Sequence, residues 1–180
     1  MLHELLKYNE TFVAEQQYKK FDTDKYPKKN LAILSCMDTR LTELLPAALG
    51  LKNGDANIIT NAGGIITNPL CSTIRSLLVS IYELKVTTIM VIGHTDCGTE
   101  HMTPEKMNNA FLTRGISKEK IDMMDYCNES YKKWLSGFES LDTSVSETVK
   151  CLRDHPLIPD DVVIMGFKID TSTGLIKKIC

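Results

Sequence analysis

Short apolar runs alternate with helix-like segments along this chain. The runs at 31–35, 56–60, 87–93 and 162–167 are rich in Val, Ile, Leu and Thr, and each has the length of a buried strand. Strands that alternate with helices form a parallel sheet with helices on both faces. The sequence therefore predicts an α/β fold with a mainly parallel, four-stranded sheet flanked by helices.

The helix-like segments have the apolar spacing of amphipathic helices. Residues 2–20 place their apolar side chains near one stripe, and the segment 41–49 ends at Gly50, a usual C-terminal stop. Asn68 and Pro69 supply a capping side chain and a first-turn proline for another helix. The predicted buried face of that helix comprises Ile74, Leu77, Leu78, Ile81 and Leu84.

Two segments depart from strict alternation. Residues 102–150 carry many polar and charged groups and no strand-like run, so they predict a helical excursion from the sheet. Residues 166–176 alternate around a turn at Gly174, which predicts a hairpin and a C-terminal edge strand. The whole chain, residues 1–180, is interpreted as a single zinc-binding domain for the reasons given below.

Composition excludes several classes of function. Hydrophobic residues make up 43% and charged residues 24% of the chain, as in ordinary soluble domains. The net charge of −2 provides no broad basic surface for nucleic acid. Residues 1–8 lack the apolar stretch of a signal peptide, and no run approaches the roughly 20 residues that span a bilayer. We therefore expect a cytoplasmic protein with no nucleic-acid or membrane partner.

The six cysteines are expected to be reduced in a cytoplasmic protein. Four of them have no His or Cys neighbour at the spacing of metal ligands, so they are interpreted as reduced thiols without an assigned function. These four are Cys71, Cys127, Cys151 and Cys180. Only Cys36 and Cys97 lie in a setting typical of metal ligands.

Two short segments follow predicted strands and together carry the ligands of a metal site. Cys36 follows the strand at 31–35, and His94 and Cys97 follow the strand at 87–93. Because sites in parallel sheets form at the carboxyl ends of the strands, we expect these side chains to converge. Two thiolates cancel the charge of Zn²⁺ and an imidazole adds a neutral nitrogen, a three-ligand pattern used by catalytic zinc. The sequence predicts one Zn²⁺ per subunit with one open position.

The open position determines the chemistry. A water molecule there would have its pKa lowered from about 15.7 towards neutrality, which gives a zinc-bound hydroxide nucleophile. Asp38 could accept a hydrogen bond from that water, or it could close the site as a fourth ligand. Arg40 could hold Asp38 away from the metal through a bidentate pair. Asp96, between the two later ligands, is expected to cap a following helix.

The pattern Cys-x-Asp-x-Arg at 36–40 and the pattern His-x-x-Cys at 94–97 resemble the signature of the beta-class carbonic anhydrases. The glycine pair at 63–64 resembles the small prokaryotic branch of that family. The resemblance implies a lyase that reversibly hydrates carbon dioxide to bicarbonate and a proton. It also implies a set of site residues, with Cys36, His94 and Cys97 on zinc and an Asp38–Arg40 dyad beside the metal.

The resemblance also bears on assembly and substrate binding. It implies a homodimer or a dimer of dimers, in which the helix at 1–20 packs on the partner subunit. In the family, the backbone N–H after the last zinc ligand lies near a substrate oxygen, and Gly98 holds that position here, with a helix-entry glycine as the alternative. Gly63 could let the backbone approach a ligand closely, or it could be a plain turn.

Two other functions stay open at this point. Relatives in the same family hydrolyse carbonyl sulfide or carbon disulfide with the same zinc chemistry, so the substrate is not fixed by the resemblance. Asp38 as a permanent fourth ligand would instead make a closed, structural zinc site in a non-catalytic protein. A structural site gives Arg40 no evident role, which favours an enzyme.

Overall fold

The computed structural model describes residues 1–128 and 131–180. The helices of this part are α1 (Leu2–Ala14), α2 (Leu41–Ala48), α3 (Ser72–Tyr82), α4 (Pro104–Thr113), α5 (Lys118–Cys127), α6 (Tyr131–Leu135) and α7 (Leu141–Arg153). The strands are β1 (Leu31–Cys36), β2 (Ala56–Asn61), β3 (Thr88–His94), β4 (Val163–Ile169) and β5 (Ile176–Lys178). Short 3-10 helices lie at Gln17–Phe21 and Ala62–Gly64.

The strands form one sheet in the order β2-β1-β3-β4-β5. β1 is parallel to both β2 and β3, and β3 is parallel to β4. β5 is antiparallel to β4, and the ladder runs from the Phe167–Lys178 pair to the Ile169–Ile176 pair. The prediction of an α/β fold with four parallel strands and a C-terminal edge strand is confirmed.

The central strands are buried on both faces. Ala32 of β1 lies in a buried cluster with Leu77 of α3 and Leu152 of α7. Ile33, the next residue of the strand, lies in a second cluster on the other face with Leu45 of α2. Successive strand side chains point to opposite faces, so β1 contributes to both layers. This packing holds β1 and β3 side by side and fixes the residues at their carboxyl ends.

Two helices differ from their predicted extents. The predicted helix at 2–20 is two elements, because α1 ends at Ala14, Gln16 is left-handed with φ 56°, and a 3-10 helix follows. The helix predicted to begin at Pro69 begins instead at Ser72. Asn68 Oδ1 accepts a hydrogen bond from the Leu70 N–H, so this side chain closes a local turn and does not cap α3.

The segment between β3 and β4 contains the helices α4 to α7, and residues 129 and 130 of the predicted excursion lie outside the described residues. Ile121, Tyr131 and Leu135 form a small apolar cluster of their own. The helix α7 packs against β3 and β4. Among the described residues, no helix has both the length and the apolar character that crossing a bilayer requires.

Candidate metal centre

Three buried donor atoms converge at the carboxyl ends of β1 and β3. Cys36 is the last residue of β1, and His94 is the last residue of β3. Cys97 lies in the turn after β3, and its Sγ is 3.9 Å from Cys36 Sγ. The two sulfurs and a ring nitrogen of His94 all lie within 4.8 Å of one another. The structure therefore brings together the three residues that the sequence singled out as metal ligands.

One ring nitrogen of His94 is fixed and the other is available to a metal. Nδ1 lies 2.9 Å from the carbonyl oxygen of Thr95, which places the ring proton on Nδ1. Nε2 is buried and has no hydrogen-bond partner among the described residues. Leaving a buried polar atom without a partner is unfavourable. This unpartnered nitrogen and the two neighbouring sulfurs together fit a Zn²⁺ ion.

The closeness of the two sulfurs moves their pKa values apart. The contact with Cys97, together with burial, raises the pKa of the Cys36 thiol far above its usual range. The same contact, with the nearby His94 ring and the hydrogen bond to Thr99, lowers the pKa of Cys97. Burial is the largest single influence on the pKa of His94 and lowers it, but Cys97, the Thr95 carbonyl and Asp38 together raise it by more, so the net shift is upward. Two adjacent thiolates repel each other, and a divalent cation between them would remove that repulsion.

Asp38 lies beside the ligand cluster and is held by Arg40. Arg40 Nε donates to Asp38 Oδ1 at 3.0 Å, and Arg40 Nη2 donates to Oδ2 at 2.8 Å. The backbone N–H of Arg40 also donates to Oδ1, at 2.9 Å. These hydrogen bonds, the side-chain ones first, lower the pKa of Asp38 to about 2. Asp38 Oδ2 lies 3.9 Å from His94 Nε2, so the ionised carboxylate faces the cluster.

Arg40 also binds a second carboxylate, that of Asp96, which was predicted from the sequence to cap a helix. Its Nη1 donates to Asp96 Oδ2 at 2.8 Å, and its Nη2 donates to the Asp96 carbonyl oxygen at 2.7 Å. Asp96 is left-handed with φ 55°, and the next helix, α4, begins only at Pro104. The prediction that Asp96 caps a following helix is therefore wrong. Its position between His94 and Cys97 was the one available signal of a role at the site.

The two candidate glycines lie at the site in different ways. Gly63 is buried with φ 85°, and its N–H donates to Cys36 Sγ at 3.4 Å. A side chain there would collide with Thr99 Oγ1, which lies 2.7 Å from the position of an added Cβ. Gly98 lines the cavity described next, and an added Cβ would meet nothing within 4 Å. Gly63 is thus required by close packing, whereas Gly98 borders open space.

A cavity of about 920 Å³ opens beside the candidate ligand cluster. Its floor includes Cys36 and Asp38, and its walls come from the loops after β2 and β3 and from the helical segment between β3 and β4. The apolar wall residues include Met37, Ile65, Met102, Met107, Trp134 and Leu135. The segment whose role the sequence left open therefore forms one wall of the cavity.

The other cysteines take no part in the cluster. All six thiols are free, and Cys127 is exposed. Cys71, Cys151 and Cys180 are half-buried, and Cys71 borders the cavity. No disulfide bond joins these cysteines among the described residues.

Comparison with known proteins adds independent evidence on the family. A family model described as carbonic anhydrase matches residues 31–176, which include both ligand-bearing segments. YtiB of Bacillus subtilis (strain 168), whose assignment as a carbonic anhydrase is provisional, is 42% identical over 179 residues. That alignment covers 99% of this chain and 96% of YtiB.

Two further comparisons are with a carbon disulfide hydrolase and with a solved crystal structure. A carbon disulfide hydrolase of Acidianus sp. (strain A1-3) is 32% identical over 162 residues, with 83% of this chain and 77% of that protein covered. The crystal structure of beta-carbonic anhydrase isoform I from Trichomonas vaginalis superposes with a TM-score of 0.89 at 33% identity. That match covers 99% of this chain and 97% of the other.

Proposed function

This chain belongs to the small prokaryotic branch of the beta-class carbonic anhydrases, and we propose that it catalyses the zinc-dependent reversible hydration of carbon dioxide to bicarbonate and a proton. One observation carries the proposal. Asp38 lies 3.9 Å from the unpartnered Nε2 of His94, yet both of its oxygens are bonded to Arg40. The carboxylate is therefore next to the ligand cluster without being free to close it.

Cys36, His94 and Cys97 would hold one Zn²⁺ per subunit. Bound zinc supplies a Lewis acid that lowers the pKa of a water molecule from about 15.7 towards neutrality. With two anionic sulfurs among the ligands, we expect carbon dioxide hydration to become faster above neutral pH. Because the ligand thiols must stay reduced, we also infer a reducing compartment, the cytoplasm.

Asp38 and Arg40 would orient the reacting water. A carboxylate with a pKa of about 2 is ionised at neutral pH and can only accept hydrogen bonds. Asp38 would accept a hydrogen bond from the water, so that a lone pair of the water oxygen points towards the carbon of carbon dioxide. Arg40 fixes the direction of that acceptor because three of its N–H groups bind the same carboxylate.

The cavity suits a small uncharged substrate at its floor. Carbon dioxide has no net charge, and the apolar walls formed by Ile65, Met102 and Leu135 would admit it without the cost of stripping water from an ion. Gly98 is our candidate for binding a substrate or bicarbonate oxygen through its backbone N–H, since it borders open space in the cavity. Gly63 would act indirectly, by supporting Cys36.

A second candidate substrate is carbon disulfide or carbonyl sulfide. The identity of 32% to a carbon disulfide hydrolase favours this alternative. Hydrolysis of either compound releases hydrogen sulfide, whereas carbon dioxide hydration releases none. A non-catalytic zinc site would need Asp38 on the metal, and the three hydrogen bonds from Arg40 oppose that arrangement.

We also propose that the chain forms a homodimer, alone or within a dimer of dimers, through α1. None of the residues of α1 is buried, although the helix carries Leu2, Leu5 and Leu6 with exposures of 70%, 62% and 66%. An amphipathic helix gains most of its stability by packing its apolar stripe against another surface. Replacement of Leu5 and Leu6 by Lys should shift the protein from dimer to monomer in light scattering; an unchanged mass would contradict this role.

The function is tested by pairing zinc content with activity. Cys36→Ser should lose zinc and stopped-flow carbon dioxide hydration together, whereas Cys127→Ser, a matched change at an exposed thiol, should keep both. Hydrogen sulfide release from carbon disulfide and carbonyl sulfide is measured on the same samples. Activity that survives in zinc-free Cys36→Ser would refute the metal assignment. Sulfide release without carbon dioxide hydration would replace the proposed substrate by the alternative one.

A further inference from the structure

Each sulfur of the candidate centre has a hydrogen-bond donor from a neighbouring loop. The N–H of Gly63 lies 3.4 Å from Cys36 Sγ, and the hydroxyl oxygen of Thr99 lies 3.1 Å from Cys97 Sγ. A cysteine that binds zinc does so as the thiolate, which has no proton to donate. In the loaded site the Thr99 hydroxyl must therefore be the donor to Cys97.

The Thr99 hydroxyl is held over the sulfur by its surroundings. The carbonyl oxygen of Thr99 accepts hydrogen bonds from the N–H groups of Met102 and Phe138, at 3.2 and 3.4 Å. Gly63 packs against the same hydroxyl, since a Cβ there would approach Thr99 Oγ1 to 2.7 Å. Thr99 also lines the cavity, so a residue in contact with Cys97 borders the space for substrate.

We propose that Thr99 is a positioning residue that withdraws charge from the Cys97 thiolate and thereby sets the Lewis acidity of the bound metal. The inference rests on the ligand assignment in the proposed function and adds a residue to it. Thiolates donate charge to a metal and reduce its power to polarise water. A hydrogen bond to a ligand sulfur opposes that donation, and such outer partners tune metal sites.

Three variants separate the hydroxyl from the shape of the side chain. Thr99→Val keeps the branched shape and removes the donor, Thr99→Ala removes the donor without adding an apolar group, and Thr99→Ser keeps the donor. Thr113→Val is the matched control, because its hydroxyl is bonded to the Asn109 carbonyl oxygen on α4 and faces solvent. Each protein is loaded with Co²⁺ in place of Zn²⁺ so that the metal can be observed by absorbance.

The main measurement is the wavelength of the sulfur-to-cobalt charge-transfer band. This wavelength reports how strongly the thiolates donate charge to the metal, and it can be measured without catalysis. We expect the band to move to longer wavelength in Thr99→Val and Thr99→Ala, and to stay at the wild-type position in Thr99→Ser and Thr113→Val. On the zinc enzymes, the midpoint of the pH dependence of kcat should shift to higher pH in the same two variants only. If Thr99→Val fails to fold, Thr99→Ala still decides the question.

The outcomes separate this inference from the proposed function. A charge-transfer band that is identical in wild type, Thr99→Val and Thr99→Ala would overturn the role of Thr99, even if carbon dioxide hydration is normal. A band that shifts as expected in a protein that does not hydrate carbon dioxide would support Thr99 while refuting the proposed activity. A band that moves equally in Thr99→Ser would show that packing, and not the hydroxyl, is responsible, and would also overturn the inference.

Discussion

Arg40 binds Asp96 across the edge of the sheet, with Arg40 Nη1 2.8 Å from Asp96 Oδ2. The same guanidinium holds Asp38 through Nε and Nη2. One side chain therefore joins the loop after β1 to the loop after β3 and orients the carboxylate beside the candidate metal. Arginine suits this role because its planar group carries several donors in a fixed geometry.

Arg40→Lys tests whether the geometry of the guanidinium matters beyond its charge. A lysine ammonium keeps the charge but cannot bind Asp38 and Asp96 at once. We expect kcat/KM for carbon dioxide hydration to fall by about 10–100-fold, the usual range for a partner of a metal-site residue. Zinc content should stay near one per subunit. The control, Arg114→Lys at the exposed end of α4, should leave kcat/KM unchanged. An unaltered kcat/KM in Arg40→Lys would contradict the proposed orientation of Asp38.

Asp96 is predicted to matter more through its backbone than through its charge. The Asp96 side chain is 85% exposed, and the carbonyl oxygen also accepts from Arg40, so Asp96→Asn should change stability and activity little. Asn tolerates the left-handed conformation that Asp96 adopts at φ 55°, whereas a β-branched residue does not. Asp96→Val should destabilise the fold by about 1–2 kcal/mol in urea unfolding. Equal stability of the two variants would show that this backbone conformation is not enforced.

The low pKa of Asp38 predicts how its contribution to stability depends on pH. The folded value of about 2 lies below the roughly 3.9 of an unfolded aspartate. The ionised carboxylate therefore stabilises the fold above about pH 3.9, and this contribution is lost as the pH falls towards 2. The measurement is urea unfolding of metal-free, reduced wild type and Asp38→Asn from pH 6 to pH 2. The difference between them should shrink with acid; a constant difference would contradict the ion pair.

Gly63 is predicted to be required by close packing and not only by its backbone angle. Gly63 and Gly115 have nearly the same positive φ, 85° and 84°, but an added Cβ meets Thr99 Oγ1 at 2.7 Å in the first case and nothing within 4 Å in the second. Both Ala variants should therefore carry similar backbone strain. Only Gly63→Ala should also lower zinc affinity, by about 10-fold or more, because it displaces Thr99 and the donor to Cys36. Competition with a chelator measures the affinity, and equal affinities would exclude the close contact as a factor.

The fold and the ligand set could be predicted from local signals. Apolar runs such as 31–35 can be buried on both faces only in a covered sheet, and Ala32 and Ile33 are indeed fully buried on opposite sides. Cys36 is the last residue of β1 and His94 is the last residue of β3. Because these two strands are parallel neighbours, both residues lie at the same end of the sheet. The start of α3 was harder to predict, because the Asn68 side chain can cap a helix or close a turn, and here it closes a turn.

The partners of the site could not be predicted from the sequence. The pairing of Arg40 with Asp96 depends on a left-handed residue in the loop after β3, and no periodic pattern signals a conformation of that kind. The contact between Thr99 and Cys97 could not be predicted either, since the Thr99 hydroxyl reaches Cys97 only because of the local turn and the space left by Gly63. Contacts between loops that join different strands require the three-dimensional structure.

If zinc at Cys36, His94 and Cys97 supports carbon dioxide hydration, the hydration rate must follow the amount of bound zinc in a titration. Metal-free, reduced protein is mixed with increasing Zn²⁺, and stopped-flow hydration is recorded at each step up to pH 9. We predict that the rate rises in proportion to bound zinc and levels off at one zinc per subunit. Fully zinc-loaded protein whose rate does not exceed the uncatalysed rate at any pH in this range would contradict zinc-dependent carbon dioxide hydration by this chain.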